Sequence, residues 1–512
     1  MKKQSKPNYL LLILLGGYLF LALSNHIALS VGQLGYLMRE GAMWWQDGTI
    51  AFANVHSYTT PDFEVQNHHW LAGVIFYGLQ QWIGYGGLHV LAVLSYVALF
   101  LGLYRYTIKG AIPIVWQLII GLLAVPLFTM HNLVDAIFFT YILVGIYWLL
   151  LSKSLDGKYS PKWLLLLPVL QMIWVNTHQY FWIGWALIVL ALIQATFTNR
   201  GLVKWLLPVL LATVASAVLH PQGLQGLTTA LQTAFVSPAI MPIQEQPTWA
   251  AYLLTQSYSL LYVLVVSGIL LLGIINWVGI ASKQQIASFW QISTSVLLTL
   301  LALWSNQLAP LLLIPFFLIA FANVQQYYTA EDNYQQLLRY CPPSLVLYLL
   351  VPVFVAAGYY NPIANLGYGL RGEEQKITNF INKAGIQGPI FHNTAISGLL
   401  VSELEQPQPL YISSQPQAHP TNFYQQDYFP TILSPMGWKT IHDQYQFNAI
   451  VIRLQGMSIP QLQFMGNLLG NGRWSMVYLE PDYEVILIKK TPKNQIIIDR
   501  FNQVPDVIEN QE

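Results

Sequence analysis

Charge is what this sequence has least of. Of 512 residues only 9% are Asp, Glu, Lys or Arg, against roughly 25% in a soluble globular protein. Most of the chain therefore cannot face water. There is one cysteine, Cys341, which excludes an intramolecular disulfide and any multi-cysteine metal site. No block or stripe of basic residues occurs, so nucleic acid is not an expected partner. What fills the chain is apolar: 55% hydrophobic residues and a mean hydropathy of +0.46.

Charge is also unevenly placed. It is sparse to about residue 360, and residues 361–512 then hold 10 of the 23 Lys and Arg and 13 of the 22 Asp and Glu. A hydrocarbon core needs about 20 mostly apolar residues per helix. Stretches of that kind run near 9–29, 86–104, 111–130, 132–151, 163–180, 182–197, 205–219, 257–279, 286–304, 308–323 and 344–359. The expected fold is a polytopic α-helical membrane protein of about eleven spans, with a soluble α/β domain at its C-terminus. Residues 1–360 form the membrane domain, including a long loop at 30–85, and residues 361–512 form the soluble one.

Lys and Arg orient the spans. With the N-terminus cytoplasmic, the inner loops hold Lys2, Lys3, Lys6, Arg105, Lys109, Lys153, Lys158, Lys162, Arg200, Lys204, Lys283 and Arg339, and the outer loops hold Arg39 alone. The C-terminal domain then lies outside the cytoplasmic membrane, and the N-terminal apolar run reads as an uncleaved anchor. All eleven histidines fall on the outer side or in the soluble domain. So do most acids of the membrane part: Glu40, Asp47, Asp62, Glu64, Asp135 and Glu245. Ionisable groups gathered near a membrane mark a substrate or ion path. Histidine spacing gives no two zinc ligands on one helical face. A hard divalent cation has only Asp62 and Glu64 at ligand spacing.

Between 361 and 512, short apolar runs alternate with helical patterns. Strands are expected at Pro389–His392, Pro409–Ser413, Ala449–Arg453, Met476–Leu479 and Glu484–Lys489, the last two joined by a turn at Glu480–Tyr483. Helices are expected at Glu373–Lys383, Asn422–Leu433, Trp438–Tyr445 and Pro460–Leu469.

Five motifs occur in order along the chain. They are NVHSYTTPDFEVQNHHWLAGVIFY from Asn54 to Tyr77, followed by GYGGL ending at Leu88; WVNTH from Trp174 to His178; HPQGLQG from His220; Glu245 within IQEQPTW; and GIQGPIFHN from Gly385 to Asn393. Together they resemble the GT-C type membrane glycosyltransferases, in the bacterial group related to protein O-mannosyltransferases. The resemblance implies transfer of a sugar from a polyprenyl-phosphate carrier to an acceptor on the outer face. An outer-loop carboxylate would act as base, and an Arg or a metal ion would neutralise the departing phosphate. Membrane lipids and the lipid-linked sugar would be its partners.

The sequence departs from that pattern in one direction. Where relatives carry an Asp and an Arg shortly after the first span, QLGYL places Gln33 and Tyr36. DAIFFTY (Asp135–Tyr141) lacks the Arg and Glu expected there, and ISSQPQAH (Ile412–His419) is neutral where Asp, Arg and Glu are expected. Enzymatic activity is thus an open question at this stage. Three readings stand: a glycosyltransferase whose base is Asp47, Asp62 or Glu40; a non-catalytic homologue serving as accessory or structural subunit of a membrane complex; or an outer-face transporter or other lipid-linked transferase. Asp47, Asp62 and Glu64 are the candidates for base or metal duty. His69, Asn176, His178 and Glu245 are the candidates for orienting substrate.

Overall fold

The computed structural model describes residues 8–30, 33–65, 67–108, 112–125, 127, 134–235, 288–329, 366–372, 374–405, 409–415, 418–454, 459–480 and 484–501. The chain forms two compact units. One comprises 1–26 and 83–369, the other 27–82 and 370–512.

The first unit is helical where described. Helix α1 (Tyr9–Leu23) is followed in this unit by helices Ile114–Ala124, Ile137–Leu155, Leu166–Thr177, Trp182–Thr198, Arg200–Ser216, Gly223–Phe235, Phe289–Trp304 and Leu313–Thr329. Among the described residues three helices, Trp70–Thr107, Ile137–Leu155 and Gln179–Thr198, are long and apolar enough to cross a membrane. The expected spans 257–279 and 344–359 and the candidate Glu245 lie outside the described residues. Aromatic rings fill the interior: Phe100 and Tyr104 meet Phe317 edge-on, with centroids 5.3 and 5.5 Å apart. Tyr147 packs on Trp174 in the same way, an arrangement that the ring quadrupole favours.

The second unit joins the segment 27–82 to the α/β elements. Its sheet has the order β1 (Ile390–His392), β2 (Ala449–Arg453), β4 (Glu484–Lys489), β3 (Trp474–Glu480). β1 pairs parallel to β2, and the other two pairings are antiparallel. β1 is buried throughout and β2 and β4 at all but their last residue, as continuous apolar runs require. Pro409–Ser413 is not a strand of this sheet. Leu410 instead bridges Ser57, its N–H donating to the His56 carbonyl at 2.8 Å and its carbonyl accepting from Tyr58 at 3.1 Å.

Helix α2 (Leu34–Asp47) is the part of 27–82 that enters this unit most deeply. It ends at Gly48 with a left-handed φ of 67°, the usual glycine stop. Two glycines let it approach other backbone. A Cβ on Gly35 would lie 2.0 Å from the Gly398 carbonyl oxygen, and one on Gly41 would lie 2.2 Å from that of Gly73. Gly398 belongs to the helix Thr394–Glu403 and Gly73 to helix α3 (Trp70–Thr107). The Trp45 indole also donates to the Val74 carbonyl at 3.0 Å.

A buried ion cluster ties the start of 27–82 to the sheet. Arg453, opposite Glu484 in the β2–β4 ladder, meets Glu484 at 2.5 Å and Glu374 at 3.4 Å. The three side chains are only 12%, 3% and 6% exposed. Glu374 accepts the Leu29 N–H at 2.9 Å, and the Ser30 hydroxyl joins Glu374 to Arg453. Removing the cation would leave two carboxylates buried without it, which costs about 3–5 kcal/mol. We expect Arg453→Met to destabilise the full-length protein by about that amount, read by tryptophan fluorescence during denaturation in detergent. Lys376→Ala, which removes a solvent-exposed pair with Glu480, should leave stability nearly unchanged.

Candidate functional site

In the second unit the buried Tyr36 and Glu40 of α2 share one face with the half-buried Gln33. Gln33, at the N-cap, Tyr36 and Glu40 are spaced i, i+3 and i+7, so at 3.6 residues per turn their side chains follow one stripe. The buried Tyr36 side chain lies among Ser397, Ser413 and the backbone of Ser414. Its ring meets that of His56 edge-on, with centroids 5.9 Å apart. One turn further on, the Glu40 carboxylate accepts from the Asn67 amide at 3.0 Å and has the Gln415 side chain beside it. Thus the loop motif and the ISSQPQAH segment, remote in sequence, line the same helix face.

Glu40 is 7% exposed, and its two neutral partners do not offset the loss of water. Burial pushes its pKa up from 4.5 to about 7, against the smaller opposing pull of Asn67 and then Gln415. This carboxyl is poised to exchange a proton near neutral pH. His56 is held neutral: burial, then the neighbouring Arg39 charge, lowers it to about 4. Burial alone brings His69 to about 4. Arg39 is the one Lys or Arg between residues 27 and 82.

Other histidines of this unit serve the fold. His392 Nε2 accepts the Tyr411 N–H at 3.1 Å. His419 Nε2 accepts the Ser413 N–H at 2.9 Å, and its Nδ1 meets the Thr60 hydroxyl at 2.8 Å. These contacts fix the extended run 410–413 against residues 54–60, together with the Asn54 amide on the Ala418 carbonyl.

The first unit has its own polar group. Trp174 donates its indole N–H to Thr140 at 3.0 Å, and the Thr140 hydroxyl lies 3.0 Å from His178 Nδ1. The Tyr180 N–H donates to the same nitrogen at 3.4 Å, so Nδ1 is the acceptor and the proton resides on Nε2. Asn176 donates to the Met172 and Leu219 carbonyls at 2.8 and 3.3 Å. DAIFFTY and WVNTH thus meet through Thr140 and His178, and the chain just before HPQGLQG meets Asn176.

The sequence-expected residues are divided by this geometry. His69 is buried in the second unit, while Asn176 and His178 are buried in the first. Asp47 stands exposed at the end of α2, and Asp62 and Glu64 are exposed on the following loop. Among the described residues no three His, Cys, Asp or Glu side chains are grouped to hold a metal ion. The α2 stripe instead gathers Glu40, Asn67, Ser397 and Gln415. Their signal was the 33/36/40 spacing, which becomes readable once the helix boundaries are known.

No family model and no curated protein matches the sequence. Solved structures do match. The oligosaccharyltransferase of Archaeoglobus fulgidus, tethered with an acceptor peptide, aligns with a TM-score of 0.55 at 10% identity over 94% of this chain and 74% of its own. The archaeal oligosaccharyltransferase AglB from the same organism, in complex with an inhibitory peptide and a dolichol-phosphate, gives 0.53 at 11% identity over 91% and 72%. ArnT from Cupriavidus metallidurans, bound to undecaprenyl phosphate, gives 0.51 at 11% identity over 94% and 97%. The fold is GT-C.

Tyr36 and Ser413 occupy the positions at which the resemblance expects an Arg and an Asp, and they lie beside each other. Glu40 is the carboxylate on that stripe. Because its pKa is raised on folding, stability is greatest while it is protonated and falls as pH rises from 4.5 toward 7. The shift corresponds to a loss of about 3 kcal/mol. Glu40→Gln should therefore melt higher than wild type at pH 8 and alike at pH 4.5, as measured by thermal unfolding in detergent across that range.

Proposed function

We propose that this chain is a membrane glycosyltransferase that takes a sugar from a polyprenyl-phosphate carrier at the outer face of the cytoplasmic membrane. The observation that carries the reading is the GT-C fold, shared along 91–94% of the chain with proteins solved holding dolichol-phosphate or undecaprenyl phosphate. In this reading the N-terminus is cytoplasmic, about eleven spans cross the bilayer, and residues 361–512 lie outside with the loop 30–85. The twelve-to-one segregation of Lys and Arg supports that sidedness.

Arg39 is the group suited to the carrier phosphate. It lies one turn beyond Tyr36 on α2, and a guanidinium pairs bidentately with phosphate oxygens. Asp47, Asp62 and Glu64 remain surface carboxylates in this scheme, able to meet a cation or an acceptor. His69, Asn176 and His178 are hydrogen-bonding groups available for orientation, with Glu245 in the loop between spans seven and eight.

A second reading is favoured by one observation. Tyr36 and Ser413 are neutral neighbours where the resemblance expects an Arg and an Asp. A homologue that has given up catalysis and acts within a membrane complex would carry such replacements.

Carrier binding is common ground for testing the transferase. The purified protein in nanodiscs should bind undecaprenyl phosphate, and Arg39→Ala should weaken binding by about tenfold or more, as expected for a lost charge-assisted contact. No binding by the wild type, or unchanged affinity in Arg39→Ala, would overturn the assignment of Arg39 to the carrier. The accessory reading instead requires a protein partner recovered in stoichiometric amount and no sugar transfer.

A further inference from the structure

The α2 stripe raises a question that the fold does not answer: which group takes the acceptor's proton when Gln33 cannot. An amide keeps the shape of a carboxylate but has no basic oxygen at neutral pH. The stripe runs from Gln33 past Tyr36 to Glu40, seven residues and two turns on, which displaces the carboxylate by about 10 Å along the helix axis without turning it to another face. Here the ISSQPQAH segment supplies Ser413 and Ser414 against Tyr36 and Gln415 against Glu40. Both halves of the resemblance therefore remain apposed, with the acid moved two turns along.

We infer that Glu40 is the proton-accepting carboxylate of the transfer reaction, in place of Gln33, and that Asn67 and Gln415 are the positioning residues that hold it. The inference rests on the transferase reading above. Asn67 bonds Oε2, and a carboxylate has about four lone-pair sites, so two amide donors leave acceptor capacity for an incoming hydroxyl. In the step, the acceptor O–H proton passes to a Glu40 oxygen while the acceptor oxygen bonds to the sugar anomeric carbon. The bond from that carbon to the carrier phosphate oxygen breaks, and its electron pair leaves with polyprenyl phosphate. Glu40 then returns its proton to water.

The charged and titratable groups around the carboxyl are few. Tyr36 and Arg39 share its helix, His56 faces Tyr36 and Arg39, and Asn67 and Gln415 are neutral. A carboxylate buried among neutral donors accepts protons more readily than one in water.

The test uses the full-length protein in proteoliposomes with undecaprenyl-phosphate-linked mannose, glucose and galactose, each radiolabelled, and water as acceptor, so no natural acceptor need be known. Wild type should release sugar from at least one donor, with a rate that rises through about pH 7. Glu40→Gln should lower kcat about 100-fold or more, with KM and undecaprenyl phosphate binding retained. Glu40→Asp should restore part of the rate. Asn67→Ala should shift the pH inflection upward, because a donor to the charged form is lost; a purely structural role would not move it. If wild type turns over a donor and Glu40→Gln does so equally, or if Asp62→Asn alone abolishes turnover, the assignment of Glu40 falls and the transferase reading stands. If wild type binds undecaprenyl phosphate but turns over none of the donors, both fall and the accessory reading gains.

Discussion

Arg453 lies between two buried carboxylates, and the placement of the candidate site depends on what that arrangement fixes. The cation is anchored by its β-ladder partner Glu484 and reaches Glu374 across the unit. Glu374 spends its other oxygen on the Leu29 backbone, and Ser30 closes the cluster. Residues 29 and 30 stand five and four positions before α2 begins at Leu34. Holding them to the sheet determines where α2 starts, and therefore which of its side chains face the segment 413–415. Buried ions give little net stability when paired and cost much when unpaired. The cluster thus acts chiefly on register: a chain that misplaces residue 30 must leave charge unpaired.

The second constraint is steric. Gly35 against Gly398 and Gly41 against Gly73 bring α2 to backbone contact on two sides. Glu40, between these two contacts in sequence, is 7% exposed, and burial is what raises its proton affinity. The neutral partners Asn67 and Gln415 hold the carboxyl without restoring the lost hydration.

Much of the fold was legible in the sequence. β1, β2 and β4 are continuous apolar runs because both faces of the sheet are covered; residues 481–483, where a turn is expected between β3 and β4, lie outside the described residues. Pro409–Ser413 has the same apolar character, but its backbone partners are residues 56–58, more than 350 positions earlier; periodicity reports burial and not the partner. The helix Thr394–Glu403 gave no amphipathic signal because Ile396 through Val401 are all buried. The site was harder to read for a related reason. Exposed acids such as Asp47, Asp62 and Glu64 are visible in any sequence, whereas the altered acidity of Glu40 comes from burial in the folded chain, set against Asn67 and Gln415. The motif resemblance marked Gln33, Tyr36 and Ser413 as neutral replacements and left Glu40 among three possible bases; the helix geometry set Glu40 beside Asn67 and Gln415.

The account turns on one proton. Infrared difference spectroscopy of the full-length protein, titrated from pH 4 to pH 9 and compared with Glu40→Gln, reads that carboxyl directly. The account predicts a protonated-carboxyl band, absent from the variant, that disappears around pH 7. A carboxyl band that is already lost by about pH 5, in the ordinary glutamate range, would contradict it.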